Sequence, residues 1–118
     1  MTVAEAVLEI RTYRLLPGVG EEFHRIFQTL CGPLLRHFGI DVVRFGPSEQ
    51  DEDGARDYLL MRAFDSVAAR DEQEARFYGS SDWQTGPRHD VLSRIESYHT
   101  VVLTVAVDAL DGLRQPPG

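Results

Sequence analysis

One alternating stretch constrains this chain more than any other: Leu8-Glu9-Ile10-Arg11-Thr12-Tyr13-Arg14-Leu15-Leu16, stopped by Pro17-Gly18. A period of two is that of a strand, so Leu8, Ile10, Thr12 and Leu16 point one way and Glu9, Arg11, Tyr13 and Leu15 the other. Proline lacks the N–H that a ladder needs and glycine permits the turn, so the strand ends there. The first strand thus has one greasy face and a second face bearing Arg11 and Tyr13. Whatever covers that second face decides what the chain can do.

The rest of the sequence falls into line behind this strand. Val19, Phe23, Ile26, Phe27, Leu30, Leu34 and Phe38 recur at three- and four-residue spacing, the stripe of an amphipathic helix. Gly32-Pro33 predicts a kink or break within it, and Gly39 a stop. Asp41 to Gly46 reads as a second strand and Arg56 to Phe64 as a third. The acidic connection between them ends in Asp53-Gly54, a hairpin signal. Tyr58, Leu60, Arg62 and Phe64 share one face of the third strand. Asp65-Ser66 caps a helix from Val67 to Phe77 or Tyr78, with Val67, Ala68, Ala75 and Tyr78 inward and Arg70, Asp71, Glu72, Glu74 and Arg76 in water. A short helix within Pro87 to Ser97, with Val91, Leu92 and Ile95 inward, precedes a β-branched fourth strand, Tyr98 to Val107.

This order gives one α+β domain, a ferredoxin-like βαββαβ arrangement with a short extra helix before the last strand. Residues 1–6 form an N-terminal extension, 7–107 the domain, and 108–118 a tail expected to fray. Tyr13, Tyr58, Phe64 and the Val/Leu run of the last strand are too much apolar surface for two helices to hide. Pairing of two antiparallel sheets into a dimeric α+β barrel would bury it, so a homodimer is expected.

Composition narrows the partners. The formal net charge is −7 in 118 residues, and the cations are spread out, which argues against nucleic acid or an anionic membrane. No segment has the length and apolarity of a membrane helix or the make-up of a signal peptide, so a cytoplasmic location is expected. Cys31 is the sole cysteine, which excludes an intrachain disulfide and reads as a small buried apolar residue. The histidines lack zinc-site spacing, and phosphate-cradling, dinucleotide and Ser-His-Asp motifs are missing, so neither a metal nor a cofactor is expected. Asp51, Asp53 and Gly54 lack the downstream glutamate of a calcium loop and read as a solvated hairpin tip.

Leu8 to Tyr13 followed by Leu16-Pro17-Gly18 and an aromatic-rich helix resembles the opening of NIPSNAP-family proteins. The likeness continues through Tyr58 to Phe64 into Ser66-Val67-Ala68-Ala69-Arg70, and in Ser81-Asp82-Trp83. It spans roughly Val7 to Val107. The resemblance implies the dimeric α+β barrel superfamily, which includes cofactor-free monooxygenases of antibiotic biosynthesis, small-molecule isomerases and cyclases, and haem-dependent enzymes. For the NIPSNAP branch the molecular activity is undefined.

The side chains able to carry chemistry are Arg11, Tyr13, Tyr58, Arg62, Trp83 and His99. Arg11, Tyr58 and His99 are candidates for catalysis; Tyr13, Phe23, Phe27, Arg62, Trp83 and His89 are candidates for substrate binding. A guanidinium beside phenols and an aromatic wall suits an enolate or carboxylate ligand. The bland alternative pairs Arg11 with Glu9 or with a carboxylate across a dimer and packs the tyrosines in the interface. His24 reads as solvated, His37 as a helix-end cation, His89 as a residue at a pocket mouth, and His99 as the one able to act as base. Three functions follow. A cofactor-free enzyme or binder of an aromatic or polyketide-like molecule needs a cavity of about 300 Å³ or more beside Trp83 and His99. A non-catalytic interaction module needs a filled interior there. Haem chemistry needs a histidine facing a large cavity.

Overall fold

The computed structural model describes residues 3–52 and 54–115. Four strands form one antiparallel sheet in the order β2-β3-β1-β4: β1 (Glu5–Leu15), β2 (Asp41–Glu52), β3 (Ala55–Phe64) and β4 (Ile95–Ala106). The helices are α1 (Gly20–Ile26), α2 (Gly32–His37), α3 (Val67–Tyr78), α4 (Ser81–Gln84), α5 (Arg88–Leu92) and α6 (Val107–Leu113). This is the ferredoxin-like α+β arrangement, with two short helices rather than one before the last strand.

Alternation in β1 holds. Val7, Glu9, Tyr13 and Leu15 are buried beneath the helices, and their partners across the β1–β3 ladder include Phe64 opposite Val7, Arg62 opposite Glu9 and Tyr58 opposite Tyr13. Phe23, Ile26 and Phe27 from the first helical segment and Phe77 and Trp83 from α3 and α4 complete this core. Tyr13, Tyr58 and Phe64 are therefore all hidden by the chain's own helices, contrary to the expectation that helices alone could not cover them. What stays open is β4, an edge strand, where Tyr98, Val101, Val102 and Leu103 are exposed.

The break expected at Gly32-Pro33 is a π-helical turn, Phe27–Cys31, between α1 and α2. Pro33 has no N–H for an ordinary helical bond, and widening the preceding turn absorbs the mismatch, with Gly32 N–H donating to the Phe27 carbonyl. Gly32 is the residue that fits: a Cβ there would lie 2.8 Å from Phe27 O and 3.0 Å from the Phe45 ring.

Two further expectations are corrected. β2 continues through the acidic stretch to Glu52, which pairs with Ala55, so the connection is a tight turn whose Gly54 has φ 76°; Asp53 lies outside the described residues. The tail does not fray through residue 115. In α6, Leu110 packs on Leu8, Val43 and Ala63 of the outer sheet face, Arg114 pairs with Asp41 at 2.8 Å, and the Gln115 amide bonds the Phe45 backbone. Residues 116–118 lie outside the described residues.

Candidate functional site

Between the helix-side sheet face and α3, α4 and α5 lies a cavity of about 370 Å³. Its wall is aromatic and aliphatic: Tyr13, Phe27, Leu35, Leu60, Trp83, Val91, Ile95 and Tyr98. Its charged corner holds Arg11, Glu74 and Tyr78, and Arg88 lines it as well. Trp83 is placed by α4, whose cap, Ser80 Oγ, accepts from Trp83 N–H at 3.2 Å. Its ring lies tilted 5.3 Å from the Phe77 ring and edge to face 5.4 Å from the Tyr78 ring.

The corner is built from β1, β3 and α3. Arg11 Nε donates to Thr100 Oγ1 and its Nη1 to the Tyr78 hydroxyl, each at 3.0 Å, with the Tyr98 ring 5.2 Å away. Arg62 Nη1 donates to the same Tyr78 hydroxyl at 2.9 Å. Glu9, fully buried, accepts from Arg62 Nε at 2.8 Å, from Arg62 Nη2, and from Arg70 Nε at 2.7 Å. Glu74 Oε1 accepts from Arg62 Nη2 at 3.3 Å and lies 3.5 Å from Arg11 Nη2, while its Oε2 faces Arg70 Nε at 2.9 Å. That Oε2 is buried with no aligned hydrogen-bond donor.

Three guanidiniums thus meet two buried carboxylates, and the exposed Asp71 pairs with Arg70 at 3.1 Å. With all three acids ionised the charges balance, and with Glu74 protonated one positive charge is left over, which an incoming anion would relieve. The carboxylates part company in acidity. Burial pushes Glu9 up, but its bond with Glu74 and the Arg62 and Arg11 charges outweigh that and hold it low, near 2. Burial pushes Glu74 up to about 7, helped by the bond and charge of Glu9 and opposed by Arg62 and Arg70. Two acids in contact cannot both ionise cheaply, and Glu74 is the one that keeps the proton.

No protein-family model matches the sequence, and no curated protein matches it either. Solved structures do. An uncharacterised NIPSNAP domain protein from Burkholderia xenovorans is 25% identical, with TM-score 0.70 over 86% of this chain and 95% of that one. A NIPSNAP-family protein from Agrobacterium tumefaciens is 15% identical, with TM-score 0.77 over 91% of this chain and 90% of that one. By structure the chain is NIPSNAP-like. The same fold extends to a putative antibiotic biosynthesis monooxygenase from Bacillus cereus, at 15% identity and TM-score 0.51 over 85% and 92% of the two chains.

Within this NIPSNAP-like fold the residues singled out from sequence separate into groups. Arg11, Tyr13, Phe27 and Trp83 line the cavity. Arg62 lies directly behind it, fully buried and bonded to Glu9 and Tyr78. Phe23 and Tyr58 sit deeper in the core, edge to face at 4.9 Å, and the Tyr58 hydroxyl is bound to His24 Nδ1 at 2.7 Å. His24 is therefore a half-buried core partner, its pKa lowered by burial, rather than a solvated residue. Burial pushes the Tyr58 phenol up, away from acid–base work near neutrality.

His99 does not join the cluster. It pairs opposite Thr12, one residue out of phase with Tyr98 and Thr100, and so is exposed on the outer face. His89 is exposed on α5, where its neighbours Arg88, Val91 and Leu92 reach the cavity and it does not. Among the described residues lining the cavity none is a histidine, the ligand that the haem reading asked for. Cys31 lines the cavity as a thiol pushed up to about 12 by burial.

Glu74, Tyr78 and Tyr98 are the residues that the sequence reading passed over. The inward stripe of α3 is Arg70, Glu74, Phe77 and Tyr78; Tyr78 is inward and Asp71, Glu72 and Arg76 are exposed as expected, but Val67, Ala68 and Ala75 are exposed and Arg70 and Glu74 turn inward. The helix lands on Glu9, Arg11 and Arg62, so its inward residues there must be polar. The spacing of Arg70, Glu74 and Tyr78 on one helical face, set against three charged residues on the inward faces of β1 and β3, was the available signal.

A wider groove of about 610 Å³ runs past Thr12, Arg44, Gly46, Pro47, Leu59 and Gln115 at the end of β2 and β3. None of the clustered charges or the tryptophan reaches it.

Proposed function

We propose that the chain binds a small aromatic organic anion in the 370 Å³ cavity, its ring against Trp83, Phe27 and Tyr98 and its anionic oxygen at Arg11. The observation that carries this reading is the convergence of that aromatic wall with the Arg11 guanidinium, drawn from a cluster in which Arg11, Arg62 and Arg70 surround Glu9 and Glu74. A cavity of this volume is in the range of ligand sites, and a filled interior, which an interaction module needs, is not what lies beside Trp83. The monooxygenase-like neighbour favours a catalytic version of the same reading, in which the site acts on an enolisable molecule without a cofactor.

The fold also supports a homodimer as its working form. On the outer face Ile10 and Met61 are only half buried, and Val101 and Leu103 are exposed beside them. A second copy laid against this face would cover that surface and leave both ligand cavities open on the helix sides.

Trp83 is the sole tryptophan, so its emission reports on the cavity alone. Benzoate should change that emission saturably, and neutral benzyl alcohol should bind more weakly. Arg11→Gln should weaken benzoate binding about tenfold or more, since a hydrogen bond to a charged group contributes about 1.5–3 kcal/mol. Equal titrations for benzoate and benzyl alcohol, unchanged in the variant, would refute the anion site.

A further inference from the structure

Glu74 is the one carboxylate among the described residues lining the cavity, and it stands next to the guanidinium proposed to receive the ligand's anionic oxygen. The other acids of the cluster are spent: Asp71 is exposed and paired with Arg70, and Glu9 is sealed behind the wall with both oxygens engaged by Arg62 and Arg70. Glu74 differs from it in having one buried oxygen, Oε2, without an aligned donor. The groups that face Glu74 are Glu9 and Arg11 from β1, Arg62 from β3, and Arg70 from its own helix.

We propose that Glu74 is the catalytic acid–base residue of this cavity, moving a proton between a ligand carbon and the neighbouring oxygen of an aromatic 2-oxo acid. This rests on the ligand reading above and adds a reaction to it. The Glu74 carboxylate takes a proton from the carbon next to the ligand carbonyl. The C–H electron pair becomes the C=C bond, and the carbonyl π pair moves onto oxygen. That enolate oxygen faces the Arg11 guanidinium and the Tyr78 hydroxyl, which stabilise the charge as it develops. Glu74, now the acid, returns the proton to the oxygen as enol or to the carbon. Nothing is oxidised or reduced and no co-reactant is consumed. The raised pKa of Glu74 suits both halves of the transfer near neutral pH, because a base poised near the working pH serves in either direction. Glu9 keeps its negative charge throughout and so acts as a positioning residue, holding Arg62 and Arg70 in place around Glu74.

Phenylpyruvate is the probe, having a ring for the aromatic wall, a carboxylate for Arg11 and an exchangeable C3. Its binding is followed by calorimetry, and deuterium incorporation at C3 from heavy water by proton NMR. The wild-type protein should bind it and accelerate exchange, with a rate that rises through pH 7. Glu74→Gln should keep binding within about threefold but lose exchange at least a hundredfold, the usual scale of general-base catalysis. Glu74→Asp should restore part of the rate, and Glu72→Gln on the exposed face of α3 should exchange like wild type. Absence of binding to the wild-type protein overturns the ligand reading and this inference together. Binding without accelerated exchange, or exchange that survives Glu74→Gln, overturns this inference alone.

Discussion

Glu9 and Glu74 stand among the same guanidiniums and end with opposite acidities: burial and the neighbouring Glu9 push Glu74 up, while the bond with Glu74 and the Arg62 and Arg11 charges outweigh burial and hold Glu9 low. The consequence for stability can be worked out in sign. The folded-state pKa of Glu74 is raised above its ordinary value of 4.5 to about 7, so its contribution is fully present below pH 4.5 and is lost as pH rises through 7. Glu9 behaves oppositely: its contribution is present above pH 4.5 and is lost as pH falls toward 2. Glu74→Gln removes the first of these. The melting temperature of the variant relative to wild type should therefore increase between pH 4.5 and pH 8 in thermal scans. A difference that is flat with pH would mean that Glu74 ionises normally. At this scale the sequence was only half legible. Alternation placed Arg11 and Tyr13 on the side of the sheet that matters, because strand period is a local property. Glu74 was hidden because a run of charge on a helix ordinarily faces water, and only the buried Glu9 and Arg62 beneath it reverse that.

The long helical segment between β1 and β2 shows how a local conflict is settled within an element. Its apolar stripe extends through Pro33, and the chain keeps it in register by widening a single turn at Phe27–Cys31 rather than stopping. Phe27 and Cys31, the two ends of that turn, both line the cavity, so the irregularity shapes the ligand wall. Gly32→Ala should be destabilising by about 1–3 kcal/mol, the typical cost of overpacking. Urea titration checks it, and a wild-type midpoint would show that the turn can relax. The existence of this segment was legible from its three-and-four spacing. Its π geometry was not, since Gly-Pro is equally compatible with a kink, a break or a widened turn. The C-terminal segment was misread for a related reason: Pro116-Pro117 suggested a loose tail, whereas Leu110, Arg114 and Gln115 secure it to β2 and the outer face.

For the whole molecule, the two faces of the sheet have separate destinies. The helix side carries both the core and the cavity, and the outer side carries a strip of Ile10, Met61, Val101 and Leu103 that α6 covers only at one end. Sedimentation at micromolar concentration should give a dimer for the wild-type chain and a monomer for Val101→Lys combined with Leu103→Lys, with circular dichroism unchanged. A wild-type monomer would leave the outer strip without the proposed partner. The excess of apolar surface over two helices was legible from the sequence, but its location only in part. The Val/Leu run of β4 is exposed as expected, whereas Tyr13, Tyr58 and Phe64 are buried and the surplus of β1 and β3 lies on their opposite side, at Ile10 and Met61.

The central claim is that an anion and a ring are received together at the corner of Arg11 and the face of Trp83. An NMR titration of the isotope-labelled protein with benzoate tests it most directly, read at the Arg11 Nε–H and Trp83 indole N–H signals. The account predicts that both signals shift with a single common affinity while signals from the outer face, His99 among them, stay still. Movement of neither signal under saturating benzoate, or shifts confined to the outer face, would contradict it.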